Sequence, residues 1–306
     1  MTDHSNRRDF LARTGLLAAG ALTAGAWLPS TVQAIAPIAR PGKPKFKFSL
    51  AAYSYRELLT KSEFTLKDFV ADCAKFGLEG TELTSYYFPK DVTAEYLNDI
   101  KGQCFRLGLD ISGTAVGNNL CLPKGEKRDE QIELVKRWVD NADILGAPTI
   151  RIFSGNKGKD QSEAEAHKLA VEGMEECCDY AGQHGVTLAL ENHGGLTATA
   201  EGLLKLVNDV KSPWFGVNVD TGNFHTADPY GDLAKIAPFA VNVQIKVVIA
   251  KEGGAKEPAD FKRFAKMLAD VGYRGYIVLE YEEKPDPRTE CPKFIAQLRE
   301  AFLAVS

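Results

Sequence analysis

Residues 186–193 read VTLALENH, an apolar run that stops on a carboxylate, an amide and an imidazole. Thr187, Leu188, Ala189 and Leu190 have the character of a strand buried on both faces, as strands of parallel sheets are. Glu191, Asn192 and His193 then stand at its C-terminal end, where polar side chains serve a site and not a core. The construction recurs downstream. FGVNVDTGN ends a strand on Asp220, VNVQIK carries Gln244 and Lys246 to the end of another, and YIVLEYE ends on Glu280. Four strand ends therefore converge on oxygen-rich chemistry.

A strand, a turn, an amphipathic helix and a glycine before the next strand repeat along the chain. Strands are expected over 46–52, 80–83, 110–114, 149–153, 187–191, 215–219, 241–245 and 276–280. Helices are expected over 66–76, 94–107, 129–145, 162–184, 199–210, 230–236, 258–271 and 292–303. Gly77, Gly108, Gly146, Gly185 and Gly272 each follow a helix and suit its left-handed terminal residue, while Thr65, Thr93, Thr199 and Pro258 mark starts. Eight strand-helix units in series make an α/β fold, a single-domain (β/α)8 TIM barrel. An open doubly wound sheet is disfavoured, because no GxGxxG follows the first strand and the polar residues gather at many strand ends.

The barrel is expected to occupy residues 46–306, with a Pro- and Lys-containing lead-in over 35–45. Residues 1–34 read as a twin-arginine secretion signal: Asn6-Arg7-Arg8-Asp9-Phe10-Leu11 precedes a run of apolar and small residues, and Val32-Gln33-Ala34 resembles a cleavage site. That address implies export to a periplasmic or extracellular compartment and hints at a cofactor loaded beforehand. With a formal net charge of -4 the chain has no basic surface for nucleic acid, and no later stretch reads as a membrane span in the mature protein. Small molecules are the expected partners, and the oligomeric state stays open. Of the six cysteines, most are expected to be buried thiols, with one disulfide left open, since no CxxC or Cys/His finger spacing occurs.

LALENH, VNVDTGN, VQIK and VLEYE, in this order and spacing, resemble the xylose isomerase-like barrel family of sugar isomerases and epimerases, which also includes metal-dependent endonucleases. The resemblance spans nearly all of the chain after the signal. It implies a divalent metal held by Glu191, Asp220, Gln244 and Glu280, with Glu191 and Glu280 also serving as acid and base. Two departures matter: Gln244 stands where the family places a His, and Asn223 where a second His is common. An oxygen-only shell suits Mg or Mn better than Zn or Co. A Gln is a poor ligand, however, and the alternative is a sugar site with water in place of metal.

The activity so implied is metal-assisted isomerisation or epimerisation of a sugar by proton transfer beside a carbonyl. The alternatives are a lyase or hydratase acting on a keto-sugar, which needs the same proton removal, and an exported sugar-binding protein that lacks catalysis. An endonuclease is disfavoured, since only five histidines are present and His4, His167 and His184 lie away from the strand ends. Lys246 suits fixing a hydroxyl or an oxyanion, or equally a salt bridge with a neighbouring carboxylate. His193, Asn223 and Glu82 are further substrate-binding candidates, with His225 as a nearby loop residue. Arg151 suits pairing with a buried carboxylate. Tyr53, Tyr55, Tyr86, Tyr87 and Phe88 offer flat faces for a sugar ring, or half-buried core. Asn118 and Asn119 suit hydroxyl recognition, or turn geometry alone.

Overall fold

In a computed structural model, which describes residues 35–61 and 64–306, eight parallel strands close into a barrel. The strands are β1 (Lys45–Ala51), β2 (Gly80–Thr84), β3 (Asp110–Ala115), β4 (Thr149–Ile152), β5 (Thr187–Glu191), β6 (Phe215–Asp220), β7 (Ala240–Ile245) and β8 (Arg274–Leu279). Each pairs with the next, and β8 returns to β1, with Leu50 opposite Leu279. The helices between and after them are α1 (Leu66–Lys75), α2 (Ala94–Arg106), α3 (Glu126–Leu145), α4 (Glu163–Gln183), α5 (Ala200–Asp209), α6 (Pro229–Ile236), α7 (Phe261–Asp270) and α8 (Pro287–Leu303). The chain is thus the expected (β/α)8 barrel. The twin-arginine segment lies outside the described residues.

Apolar side chains fill the space between strands and helices. Leu50, Leu83, Leu188, Leu190, Val217, Val219, Val243, Ile245, Ile277 and Leu279 are all buried, and the six cysteines are free buried thiols in the same interior. Each buried aliphatic side chain contributes about 1.5–3 kcal/mol, so the scaffold does not rest on any one polar strand end. Helix starts follow local chemistry: Thr65 and Asp68 form a reciprocal capping box, and the Thr93, Ser162 and Thr199 side chains accept first-turn N–H groups.

Three expected helix starts move. The third-unit helix begins at Glu126, not at 129. The seventh begins at Phe261, because Asp260 supplies the cap and residues 257–258 pair instead with 248–249 in a short antiparallel ribbon. The last begins at Pro287 behind the Asp286 cap, which leaves Pro292 inside the helix. Among the described residues no helix is long and apolar enough to cross a membrane.

Two irregularities in the ladder matter for the site. The register shifts between Thr81 and Glu82 where β2 meets β3, and between Val217 and Asn218 where β6 meets β7. Such shifts re-aim side chains. Here each one falls immediately before a residue of the buried polar network described next.

Candidate active site

Alternate residues of a strand share a face, so Asn218 and Asp220 on β6, and Asn242 and Gln244 on β7, point together. They meet Glu82 of β2 in a closed ring of hydrogen bonds. Asn218 Nδ2 donates to Gln244 Oε1 (2.6 Å), Gln244 Nε2 to Glu82 Oε1 (2.6 Å), Asn242 Nδ2 to Glu82 Oε2 (2.7 Å) and also to Asn218 Oδ1 (2.8 Å). All four residues are buried. Ionised, Glu82 only accepts and so orients both amides that face it, which leaves the Gln244 oxygen engaged with Asn218. Burial pushes the Glu82 carboxyl up to about 7, with Glu280 adding to the rise and the two amide donors opposing it.

Above this ring stand the carboxyls of the strand ends. Glu191 accepts from Asn223 Nδ2 at 2.8 Å through Oε1, and its Oε2 lies 2.9 Å from Arg151 Nε. Arg151, from β4, is itself held by the Val116 carbonyl (3.0 Å) and packs over the Phe153 ring. Burial raises the Glu191 carboxyl well above its ordinary value; Arg151 opposes the rise, and Asp220 and Glu280 reinforce it. The pairing expected as one option for Arg151 is the one formed.

Asp220 is locked by its neighbour: Asn192 accepts from the Asp220 N–H and donates to its carbonyl, both at 2.9 Å. One carboxyl oxygen of Asp220 accepts from Gly222 N–H (2.8 Å), while Oδ2 is buried without a hydrogen-bond partner. Burial pushes this carboxyl up to about 7, against the pull of Lys246. Lys246, just past β7, extends its Nζ to within 2.5 Å of Glu280 Oε2, 2.5 Å of Glu282 Oε1 and 3.3 Å of Asp220 Oδ2. Burial works against the ammonium, but these three carboxylates outweigh it and hold the Lys246 pKa well above its ordinary value. Burial likewise acts upward on Glu280, yet Lys246, with help from Arg151, brings its carboxyl below the ordinary value.

The structure therefore gathers Glu82, Glu191, Asp220, Asn223, Gln244, Lys246 and Glu280 at one mouth. His193 stands to one side, its ring 4.4 Å from that of Phe153, in a cleft of about 130 Å³ shared with Asn118, Asn119 and Thr197. Burial and Arg151 lower its pKa. A second cleft of about 130 Å³ is bordered by Asn223, His225, Lys246, Glu280 and Glu282. A larger cavity, about 690 Å³, runs outside the ring between Tyr86 and α3 and reaches no carboxyl of the mouth. Tyr55 and Phe88 are core, against Phe69 and Trp138, while Tyr53 and Tyr86 remain at the rim. Asn118 spends its amide on both backbone groups of Phe153, tying the loop after β3 to the end of β4, while Asn119 accepts from Cys121 N–H in turn geometry.

Asn192, expected at the strand end as a site residue, holds the Asp220 backbone, whereas Asn218, Asn242 and Glu282 were not anticipated from sequence. The signal for two of them is present in VNVD and VNVQI, where an amide alternates with valines two residues before Asp220 and Gln244 and so must share their face.

The expected shell of Glu191, Asp220, Gln244 and Glu280 does not fit a divalent cation as these side chains stand. Gln244 has given its oxygen to Asn218, Glu191 is engaged at both oxygens, and an ammonium occupies the space between Asp220 and Glu280. Among the described residues no group of three or more His, Cys, Asp or Glu side chains is arranged to hold a metal ion.

Comparison with known proteins agrees with this architecture. The chain is 23% identical over 209 residues to 3-dehydroshikimate dehydratase of Bacillus anthracis, which covers 65% of this chain and 71% of the relative. Its fold is similar to that of a xylose isomerase domain protein from Planctomyces limnophilus, at a TM-score of 0.66 and 16% identity over 87% of this chain and all (100%) of the other. It is equally similar to D-psicose 3-epimerase from Clostridium cellulolyticum H10, solved with D-tagatose, at a TM-score of 0.66 and 18% identity over 84% of this chain and 96% of the other. Residues 70–300, from α1 into α8, match the xylose isomerase-like TIM barrel family, and the chain belongs to that family.

Proposed function

We propose that the mouth is an active site that moves a proton on the carbon beside a carbonyl of a sugar-type substrate, as an isomerase or epimerase. The observation that carries this reading is the pair Glu191 and Glu280. They are buried carboxyls from β5 and β8, strands set apart in the ring, and each has its own cation, Arg151 beside one and Lys246 beside the other. Proton transfer needs one group ionised and another protonated at the same pH, and environments that push two carboxyls apart supply that difference. Glu191 is pushed up by burial and Glu280 is brought down by Lys246.

In this reading Glu280 takes the proton from carbon, and the electron pair of the broken C–H bond moves onto the carbonyl oxygen. A fixed cation beside that oxygen steadies the enolate. Glu191 returns a proton to the same carbon for an epimer, as the electron pair moves back from oxygen; for an isomer it protonates the former carbonyl carbon, while the adjacent hydroxyl gives its proton to the former carbonyl oxygen and becomes the new carbonyl. His193 at the rim serves a substrate hydroxyl, whereas Glu82 and Asn223 orient the polar groups of the mouth.

A second reading, a lyase that removes water from a keto-substrate, is favoured by the similarity to a dehydratase and by Asp220. That carboxyl, pushed up to about 7 beside Glu280, can protonate a departing hydroxyl after the same carbon proton is removed. The test is incubation with ketoses and keto-sugars in deuterated water, read by NMR and mass spectrometry. Deuterium at carbon with conserved substrate mass otherwise supports the first reading, and a product lighter by one water supports the second. A protein that produces neither across the panel removes both.

A further inference from the structure

We propose that the Lys246 ammonium is the resident cation of this mouth, so that the barrel takes up no divalent metal ion there. The ammonium lies 2.5 Å from Glu280 Oε2, 2.5 Å from Glu282 Oε1 and 3.3 Å from Asp220 Oδ2, which is the arrangement of negative oxygens that a bound cation requires. Here the cation is covalently part of the chain. A dication brought to the same oxygens would meet a fixed positive charge at contact distance, and either the ammonium or the metal must leave.

The path of the lysine is built in. Its backbone N–H donates to Thr221 Oγ1 at 2.9 Å, and its stem passes over Gly222, where a Cβ would come within 2.5 Å of Lys246 Cγ and 2.9 Å of Lys246 Cβ. A side chain at 222 would force the stem aside. The remaining oxygens that could complete a metal shell are occupied by this chain's own donors: Asn223 and Arg151 on Glu191, and Asn218 on Gln244. The cation site and its counter-charges thus come from three neighbouring strand ends: Asp220 to Gly222 after β6, Lys246 after β7, and Glu280 with Glu282 after β8.

The catalytic consequence rests on the proton-transfer reading: the ammonium is then the charge that faces the substrate oxygen as it gains the electrons of the broken C–H bond. The metal statement itself does not need that reading, and its test uses no substrate.

The experiment is metal uptake by the full chain. Wild type, Lys246→Met and Glu280→Gln are stripped with chelator, equilibrated with Mn²⁺, and assayed by elemental analysis and by melting with and without Mn²⁺. Wild type is expected to hold no Mn that depends on Glu280 and to show no melting shift. Lys246→Met is expected to gain one Mn per chain and a Mn-dependent rise of roughly 5 °C. One equivalent in wild type that disappears in Glu280→Gln overturns the proposal, and wild type with no Glu280-dependent Mn and no melting shift supports it. A folded Lys246→Met that takes up no Mn also overturns it. Should that variant not fold, the comparison of wild type with Glu280→Gln decides alone. Mn uptake at the mouth would remove this inference and leave the proton-transfer reading standing, whereas absence of solvent exchange would do the reverse.

Discussion

Asn218 Nδ2 donates to Gln244 Oε1 at 2.6 Å, and this one bond determines what Gln244 can do. With its nitrogen on Glu82 and its oxygen taken by Asn218, the amide is a structural bridge between β6, β7 and β2 across the barrel interior.

Gln244→Leu should therefore destabilise the fold, because it leaves a buried carboxyl without one donor and a buried amide without its acceptor. The expected cost is about 1–3 kcal/mol, which lowers the melting temperature by roughly 2–4 °C for each kcal/mol. Calorimetry checks this. An unchanged melting temperature would mean that the ring is not formed.

Glu82 gives a pH prediction with a definite sign. Its folded pKa of about 7 lies above the ordinary 4.5, so folding favours its protonated form. Its contribution to stability is then complete below about 4.5 and is lost as pH rises to about 7, a change of up to about 3 kcal/mol. Denaturation of wild type and Glu82→Gln across that range should show the variant losing less stability with rising pH. Parallel curves for the two proteins would contradict the assignment.

The fold was legible because amphipathic helices ended by a glycine alternate with short apolar runs, and each run maps onto an observed strand within two residues. Helix starts were less legible where the cap is an Asp inside a polar stretch, as at Asp260 and Asp286. In the site, Glu191, Asp220, Gln244, Lys246 and Glu280 could be placed at one mouth because they end neighbouring strands. Carboxylate partners for Arg151 and Lys246 were among the expected options and are formed. What sequence could not give was the engagement of Gln244 by Asn218, which follows a register shift at Asn218, and the path of Lys246 across Gly222.

We also propose that residues 1–34 direct export by the twin-arginine route. Replacing Arg7 and Arg8 with Lys should then leave the precursor in the cytoplasm, as cell fractionation would read. Unchanged export of the double variant would remove the proposal.

Proton transfer at the mouth is tested most directly by solvent exchange in wild type against Glu280→Gln. A panel of ketoses and keto-sugars is incubated with each protein in deuterated water, carbon-bound deuterium is followed by NMR, and the fold is monitored by circular dichroism. Exchange is expected in wild type, with a loss of about 10²–10⁴-fold in Glu280→Gln, the usual contribution of a positioned base. The spectrum of the folded barrel should be unchanged, because packed strands and not this strand end hold it together. Exchange that persists at the wild-type rate in a folded Glu280→Gln protein would contradict this assignment of the base.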